Sequence, residues 1–381
     1  MITRNVTAIL VGLGLLGTGC SKDVKIGAVI SESGAAAAYG ESVRKGLDLA
    51  LDEITAAGGL KSGGKVTLVY KDDATIPGRG REVTQELIDT DGVSVIIGAV
   101  SSTVSLAIAP LCEERRVILL SPSASAPQLS DAGEHVYRIY PSDIGEGTSM
   151  ARFAKDLGLE RLVVFAHDTD YGRGLSTVFQ QQYEGKFRQV VKTFLFHEGD
   201  TARFPAMMSE LAGLEADGIY VVAYQQDVAA LLAALRQTNP SKVVMASSAV
   251  TATIVRLAGD AAQNLVFPQT AFDLGSSDPA VAAFVRAYRG KYDQDPDIYA
   301  AHGYDALKIL VHAINGAASA HPRDLQVMLA GIHDYPGAAG LTTFDKNGDV
   351  VRHPRILLIR GGHAVPYEQF VAEGGSLLAR S

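Results

Sequence analysis

The sequence lacks tryptophan and contains only two cysteines among its 381 residues. It also lacks a basic cluster, with 34 Lys and Arg against 42 Asp and Glu and a net charge of −8. Two cysteines exclude a small disulfide scaffold, and an acidic chain without a basic patch argues against nucleic-acid binding. The sequence also has no long polar or single-residue tracts, which excludes a disordered or collagen-like protein. With 47% hydrophobic residues, the chain has room for about two globular domains.

The apolar run from Val6 to Gly17 is shorter than the roughly 20 residues needed to cross a bilayer. Arg4 precedes it, and the small residues Thr18 and Gly19 follow it. A charged start, a short apolar run and a small-residue cleavage site are typical of an export signal. We therefore predict a signal peptide over residues 1–19.

Cys20 stands directly after the predicted cleavage site. The stretch from Leu15 to Cys20 resembles a bacterial lipoprotein signal, in which this cysteine becomes the acylated N-terminus. It departs from that pattern at Gly17, where a large aliphatic residue is usual. We predict a lipid anchor on Cys20 and a periplasmic or cell-surface location, with plain periplasmic secretion as the alternative. Cys112 then has no partner and is expected to be a buried small hydrophobe.

From Val24 onward, apolar runs of strand length alternate with segments of helical period, and a second such series begins near residue 145. This order predicts an α/β fold of two Rossmann-like lobes with parallel-sheet cores. The run from Ser94 to Ala99 is almost continuously apolar, which predicts a central strand. Without a long linker between the halves, several chain crossings and a hinge are expected. The predicted boundaries are 24–141 plus 270–347 for lobe 1 and 142–269 plus 348–381 for lobe 2.

Polar residues follow several predicted strands, where ligands of open α/β sheets bind. Ser101 and Ser102 open a helix, whose N-terminus favours a carboxylate, and a second hydroxyl cluster runs from Ser121 to Ser125. Either cluster alone could simply cap a helix. Two hydroxyl clusters at successive strand ends, however, indicate a polar ligand site. Three tyrosines in other strand-end loops offer apolar walls with polar tips. They are Tyr39, Tyr171 and Tyr224.

Motifs for catalysis and for metal binding are missing from the sequence. It contains no G-x-S-x-G elbow, no G-x-x-x-x-G-K-[ST] phosphate loop and no H-E-x-x-H, and its nine histidines lie singly. We predict no enzymatic activity, no cofactor and no metal ion, although an exported enzyme with a Ser/Asp cleft stays open. The segment from Asp345 to Asp349 has Gly at the fourth position rather than the sixth of a calcium loop, which predicts a hairpin turn.

Several short motifs, in one order along nearly all of the mature chain, resemble the type I periplasmic binding proteins of the leucine/isoleucine/valine-binding group, which feed ABC importers. These motifs are Ile26-Gly27 through Ser33-Gly34, Gly46 to Gly59, Tyr70-Lys71-Asp72-Asp73, Ile97-Gly98 through Ser101-Ser102, Ser121-Pro122-Ser123, Arg138 to Gly147, Asp170-Tyr171-Gly172 and Gly303-Tyr304-Asp305-Ala306. The resemblance implies two lobes that close on a ligand and perform no chemistry. By position, it implies a carboxylate site at Ser102, Ser123 and Ser125 and aromatic walls at Tyr39, Tyr171 and Tyr224.

The sequence departs from this family at the place that recognises the ligand's ammonium group. Branched-chain amino-acid binders have a Glu after a late strand of lobe 2, where this chain has Ser248. A buried ammonium without an acidic partner is costly, so either another acid replaces the Glu or the ligand is not an α-amino acid. Asp143 and Asp227 are the candidate acids. Their structural alternatives are a hinge role for Asp143 and a helix cap for Asp227.

The sequence therefore predicts an extracytoplasmic solute-binding protein of an ABC importer. Its ligand is expected to be a small polar molecule, either a branched-chain or other amino acid or a related carboxylate or amide. The expected partners are this ligand, an inner-membrane permease and the membrane itself through Cys20. The alternative function is a sensor that passes its closed state to a membrane receptor.

Overall fold

The computed structural model describes residues 23–238, 242–270 and 272–378; the predicted signal peptide and Cys20 lie outside the described residues. Lobe 1 is built on a five-stranded sheet in which every pair of neighbours is parallel. Its strands are β1 (Val24–Ile30), β2 (Val66–Asp72), β3 (Val95–Ile97), β4 (Ile118–Ser121) and β5 (Val136–Arg138). They pair in the order β2-β1-β3-β4-β5, so the central position predicted for the third strand is confirmed.

Lobe 2 contains a seven-stranded sheet. The chain also forms a separate two-stranded hairpin, which in the sequence comes just before the last two strands of that sheet. The remaining strands are β6 (Arg161–His167), β7 (Gln189–Phe196), β8 (Gly218–Val222), β9 (Val243–Ala246), β10 (Val266–Gln269), the hairpin β11 (Tyr335–Gly337) and β12 (Gly340–Thr342), β13 (Arg355–Arg360) and β14 (His363–Pro366). The large sheet has the order β14-β13-β10-β9-β8-β6-β7. Its first five strands in the chain are parallel, and β13 and β14 extend it with antiparallel pairing.

Helices connect most of the strands, in the alternating order expected of an α/β fold. The helices are α1 (Ala37–Ala56), α2 (Pro77–Asp89), α3 (Ser102–Arg115), α4 (Asp143–Asp156), α5 (Asp170–Tyr183), α6 (Phe204–Ala212), α7 (Gln225–Thr238), α8 (Ile254–Ala258), α9 (Pro279–Tyr292), α10 (Ile298–Ala317), α11 (Pro322–Ala330) and α12 (Tyr367–Ala372).

The core of lobe 1 lies on both faces of its sheet, because successive residues of a strand point to opposite sides. Ile26 and Ile30 of β1 join an apolar cluster with α1 and α10, whereas Val29 joins a separate cluster with α2 and α3. Helix α10 lies directly against α1, since a Cβ added to Gly303 would stand 2.3 Å from the carbonyl oxygen of Val43. The late part of the chain therefore returns to lobe 1.

Two of the segments that cross between the lobes are tied together by a buried ion pair. Arg138, at the end of β5, is 1% exposed, and its Nε donates to Asp349 Oδ1 at 2.6 Å. Asp349 belongs to the segment that leads into β13. The Asp345 amide donates to the Asp349 carbonyl at 2.8 Å, which confirms the hairpin turn predicted there.

The two lobes share one strand order. The series β2-β1-β3-β4-β5 of lobe 1 matches β7-β6-β8-β9-β10 of lobe 2, strand for strand. No repeat is visible at the residue level, so this symmetry belongs to the fold alone. In such sheets the strand order reverses beside the first strand, and ligands bind beyond the carboxyl ends of the strands at that point.

The expectation for Cys112 is also confirmed. The residue is fully buried in α3 and makes no disulfide among the described residues. Burial raises the pKa of its thiol to about 12, so the side chain packs as a small hydrophobe rather than reacting as a thiolate.

Candidate ligand-binding site

A cavity lies between the carboxyl ends of the two sheets. Its free volume is about 30 Å³, enough for a water molecule but not for a larger solute. Of the residues singled out from the sequence, the candidate acids Asp143 and Asp227 do not line it, and those that do are Tyr39, Ser102, Ser123, Ser125, Tyr171, Tyr224 and Ser248. The lining residues are Ala36, Tyr39, Val100, Ser102, Ser123, Ser125, Tyr140, Tyr171, Tyr224, Ser248, Ala249 and Tyr299.

The N-terminus of α3 supplies hydrogen-bond donors at the lobe 1 wall. Ser101 caps the helix by accepting from the Val104 amide, whereas the amides of Ser102 and Thr103 make no hydrogen bond among the described residues. The Ser102 Oγ accepts from the amides of the next hydroxyl cluster, at Ser125 and at position 126, both at 3.1 Å. Because both acceptor sites are then filled, its hydroxyl proton is left to donate. This wall suits a carboxylate.

Ser123 differs from Ser102 in its hydrogen-bonding role. Its hydroxyl donates to the Val100 carbonyl at 2.8 Å, so the oxygen that faces the cavity is an acceptor. Ser121, which ends β4, donates to the Ala99 carbonyl at 2.8 Å and accepts from the amide at position 124. The two hydroxyl clusters predicted from the sequence therefore lie in the same cavity wall but differ in hydrogen bonding. Ser102 presents a donor to the cavity and Ser123 presents an acceptor.

Five tyrosine rings also line the cavity. Tyr224 contacts Tyr39 at 5.2 Å between ring centroids and stacks on Tyr171 at 5.8 Å. Tyr299 contacts Tyr39 at 4.8 Å and stacks on Tyr140 at 5.7 Å. Burial raises the pKa of all five hydroxyls, which therefore stay protonated and act as donors at neutral pH. Tyr140 and Tyr299 were not among the ligand-binding residues predicted from the sequence.

Tyrosine hydroxyls from the lobe 1 side meet the loop that follows β9 in lobe 2. The Tyr39 hydroxyl donates to the Ala249 carbonyl at 3.0 Å and accepts from the Gln225 amide at 2.9 Å. The hydroxyls of Tyr140 and Tyr299 both donate to the Ser248 carbonyl, at 3.4 and 3.3 Å. These bonds hold the lobes together around the cavity.

Asp143 is buried behind the wall rather than in it. It is 1% exposed at the start of α4, and neither carboxyl oxygen makes a hydrogen bond of standard geometry among the described residues. Burial raises its pKa well above the usual range and the charge of Glu146 adds to this, while the Ser125 hydroxyl and Arg138 oppose it. The structure thus places it next to Ser125 but leaves its role as a ligand contact a prediction.

Glu146, one helical turn after Asp143, was not singled out from the sequence. It is 6% exposed, and its Oε1 accepts from the Ser248 amide at 3.0 Å and from the Tyr220 hydroxyl at 3.4 Å. Burial raises its pKa to about 7, against the opposing hydrogen bonds from Ser248 and Tyr220. Two neighbouring acids therefore lie directly behind the cavity wall.

Asp227, the other candidate acid, makes its polar contacts outside the cavity. Its carboxylate lies 2.7 Å from Nε2 of the buried His167 and accepts from the Gly199 amide at 3.0 Å. It does not line the cavity. Asp227 thus belongs to a buried cluster beneath Tyr224, whose ring lies 5.2 Å from that of His167.

Within residues 23–238, 242–270 and 272–378, no group of three or more His, Cys, Asp or Glu side chains is placed to share a metal ion. No helix in this same part of the chain combines the length and apolar character that crossing a bilayer demands.

Comparison with known proteins agrees with this architecture. A family model described as "Periplasmic binding protein" matches residues 23–362. The "Leucine-, isoleucine-, valine-, threonine-, and alanine-binding protein" of Pseudomonas aeruginosa is 27% identical over 334 residues, covering 86% of this chain and 87% of that protein.

Solved structures of binding proteins superpose over most of the chain. The leucine-binding protein LivK of Thermotoga maritima has 30% identity and a TM-score of 0.84, covering 90% of this chain and 97% of its own. The branched-chain amino acid transporter substrate-binding protein LivJ of Streptococcus pneumoniae, in complex with isoleucine, has 28% identity and a TM-score of 0.81, covering 90% and 98%. These relatives are binding proteins rather than enzymes. The chain therefore belongs to the type I periplasmic binding protein family, in its leucine/isoleucine/valine-binding group.

Proposed function

We propose that this protein is the extracytoplasmic solute-binding component of an ABC importer and captures a small polar ligand, either a branched-chain or other amino acid or a related carboxylate or amide. The observation that carries the proposal is the convergence of strand-end residues from both lobes on one cavity. In lobe 1 these residues include Tyr39 and Ser102, and in lobe 2 Tyr171 and Ser248. The names of the Pseudomonas and Streptococcus relatives support the same ligand class.

We infer a role for each group of predicted site residues. Ser102 and the open amides of α3 would hold the ligand's carboxylate, with Ser123 and Ser125 beside it. The rings of Tyr39, Tyr171 and Tyr224 would flank the ligand's side chain. Asp143 and Ser248 would lie near its other polar end.

Capture requires the lobes to separate, because the closed cavity has a free volume of only about 30 Å³. A ligand shifts the population toward the closed state only if it binds that state better, which needs contacts with both lobes. A hinge between lobe 1 (24–141 plus 270–347) and lobe 2 (142–269 plus 348–381) would allow this motion. The permease would then recognise the closed form.

We also propose that the mature chain is anchored through a lipid on Cys20. Mass spectrometry of the protein purified from membranes tests this, with Cys20→Ser as the comparison. An acylated N-terminal cysteine in the unaltered chain supports the anchor. An unmodified N-terminus released into the periplasm contradicts it in favour of plain secretion.

The ligand class is tested by a thermal-shift screen of the mature protein. Leu, Ile, Val, Phe and small amides are compared with the matching deaminated carboxylic acids. A ligand present at about 100 times its Kd adds about 2.7 kcal/mol to the free energy of unfolding, so a true ligand is visible. If none of these compounds shifts the melting temperature, the proposed ligand class is wrong.

A further inference from the structure

Helix α4 buries two carboxyl groups, and none of the described residues places a free cation beside them. Asp143 and Glu146 are 1% and 6% exposed, and residues three apart in a helix share one face. Arg138 is the cation whose charge acts on Asp143. Its guanidinium already makes two hydrogen bonds to Asp349, at 2.6 and 2.8 Å. The acidic pair therefore lacks a countercharge of its own in the described part of the chain.

The other groups that face the pair are neutral. Tyr220 of β8, Tyr171 of α5 and Tyr140 of the lobe crossing each feel the charges of both acids. Burial, the largest cause, raises the pKa of these hydroxyls, so they remain protonated. The positive end of the α4 dipole favours a negative charge at this place but does not balance two.

Two adjacent buried carboxyl groups do not both ionise without compensation. Burial and the neighbouring Glu146 raise the pKa of Asp143 well above the usual range, and burial raises the pKa of Glu146 to about 7. In the ligand-free protein the pair consequently holds at least one proton at neutral pH.

The pair is connected to the cavity through two of its lining residues. Glu146 Oε1 accepts from the Ser248 amide at 3.0 Å. The Ser125 hydroxyl lies beside Asp143, and neither Asp143 oxygen has a partner of standard geometry among the described residues. Ser125 and Ser248 both line the cavity. A cation at this part of the wall would supply the missing positive charge.

We propose that the Asp143–Glu146 pair recognises the ammonium group of the ligand and gives up its shared proton to the solvent when that group binds. The inference rests on the proposed function and sharpens it, since it selects amino acids over their deaminated acids. On binding, the ammonium keeps its three protons, both carboxyl groups become ionised, and the released proton passes to the buffer.

The proton count is measured by titration calorimetry of the mature protein at pH 7, in buffers of different ionisation enthalpy. The probes are leucine, isoleucine and valine, each compared with the acid of the same carbon skeleton without the amine. We expect the release of about one proton for each amino acid bound. Heats of amino-acid binding that do not depend on the buffer would overturn the inference.

Substitution of Glu146 tests whether this acid is responsible for ammonium binding and proton release. In Glu146→Gln, affinity for the amino acids should fall about tenfold or more and proton release should disappear, because a neutral amide cannot balance an ammonium. Glu114→Gln, on the exposed side of α3, is the matched control and should bind as the unaltered protein does. Unchanged affinity in Glu146→Gln contradicts the proposal, and the proton count on the unaltered protein tests it even if that variant does not fold.

The outcomes separate this inference from the proposed function. If the unaltered protein binds the deaminated acids but no amino acid, ammonium recognition is wrong while solute binding stands. If it binds neither set, both proposals fail.

Discussion

The Tyr39 hydroxyl lies 3.0 Å from the carbonyl oxygen of Ala249, so a side chain of α1 in lobe 1 is bonded directly to the loop after β9 in lobe 2. The same hydroxyl accepts from the Gln225 amide. One phenolic oxygen thus joins the two lobes through a donated and an accepted hydrogen bond. The closed conformation is stabilised by these bonds independently of any ligand.

Replacing Tyr39 by Phe should weaken ligand binding roughly three- to tenfold, because it removes this hydroxyl and keeps the ring. Calorimetric titration measures the loss. Tyr292→Phe is the control: it removes a hydroxyl bonded to the Lys45 carbonyl, away from the cavity. Equal affinities in the two variants would show that the Tyr39 bond does not contribute to closure.

Ser102→Ala combined with Tyr224→Ala should abolish binding without unfolding the protein. Loss of the Ser102 hydroxyl removes a donor to the ligand and leaves two amides without their acceptor, which costs about 1–3 kcal/mol of stability. Ser105→Ala is the control. It removes another buried hydroxyl of α3, which is bonded to the Ala99 carbonyl, and should leave binding intact. Undiminished affinity of the double variant would contradict the site assignment.

Glu146 should make the ligand-free protein less stable as the pH rises. Its pKa is raised from 4.5 to about 7 in the folded state, so the unfolded chain loses this proton first. The protonated group favours folding fully below pH 4.5, and this contribution, up to about 3 kcal/mol, is lost as the pH rises through 7.

Thermal denaturation between pH 4 and 8 tests this pH dependence. The melting temperature of Glu146→Gln should exceed that of the unaltered protein by a margin that grows across this range. Glu114→Gln should show no such trend. A constant difference at every pH would mean that Glu146 does not titrate in this window.

Asp349→Asn should destabilise the protein by about 3–5 kcal/mol, because it leaves the charge of Arg138 buried and unpaired. Urea unfolding measures the change. Asp295→Asn breaks an exposed ion pair with Arg289, and its cost should stay below about 1 kcal/mol. Similar values for the two variants would show that the crossing segments do not depend on the buried pair.

The sequence was sufficient to predict the alternating fold and most of the cavity wall. Ser102, Tyr171 and Tyr224 could be identified because they follow apolar runs, and the carboxyl ends of parallel strands meet at one edge of a sheet. Tyr299 could not, since it reaches the wall only after α10 returns to lobe 1. That contact joins segments far apart in the chain, and no local pattern records it.

Glu146 was missed for a different reason. An acid in the first turn of a helix is common on protein surfaces, where it complements the helix dipole. Its burial depends on Ser248, which lies in the loop after β9, about a hundred residues later in the chain.

The common strand order of the two lobes makes the binding site a pair of facing half-sites. The half on lobe 1 contains Ser102 and the open amides of α3, and the half on lobe 2 contains Tyr171, Tyr224 and Ser248. Since each half is built from its own loops, residues that contact the variable part of a ligand can change on one sheet while the proposed carboxylate contacts on the other stay fixed. Specificity in this architecture can therefore be altered by substitutions in one lobe alone.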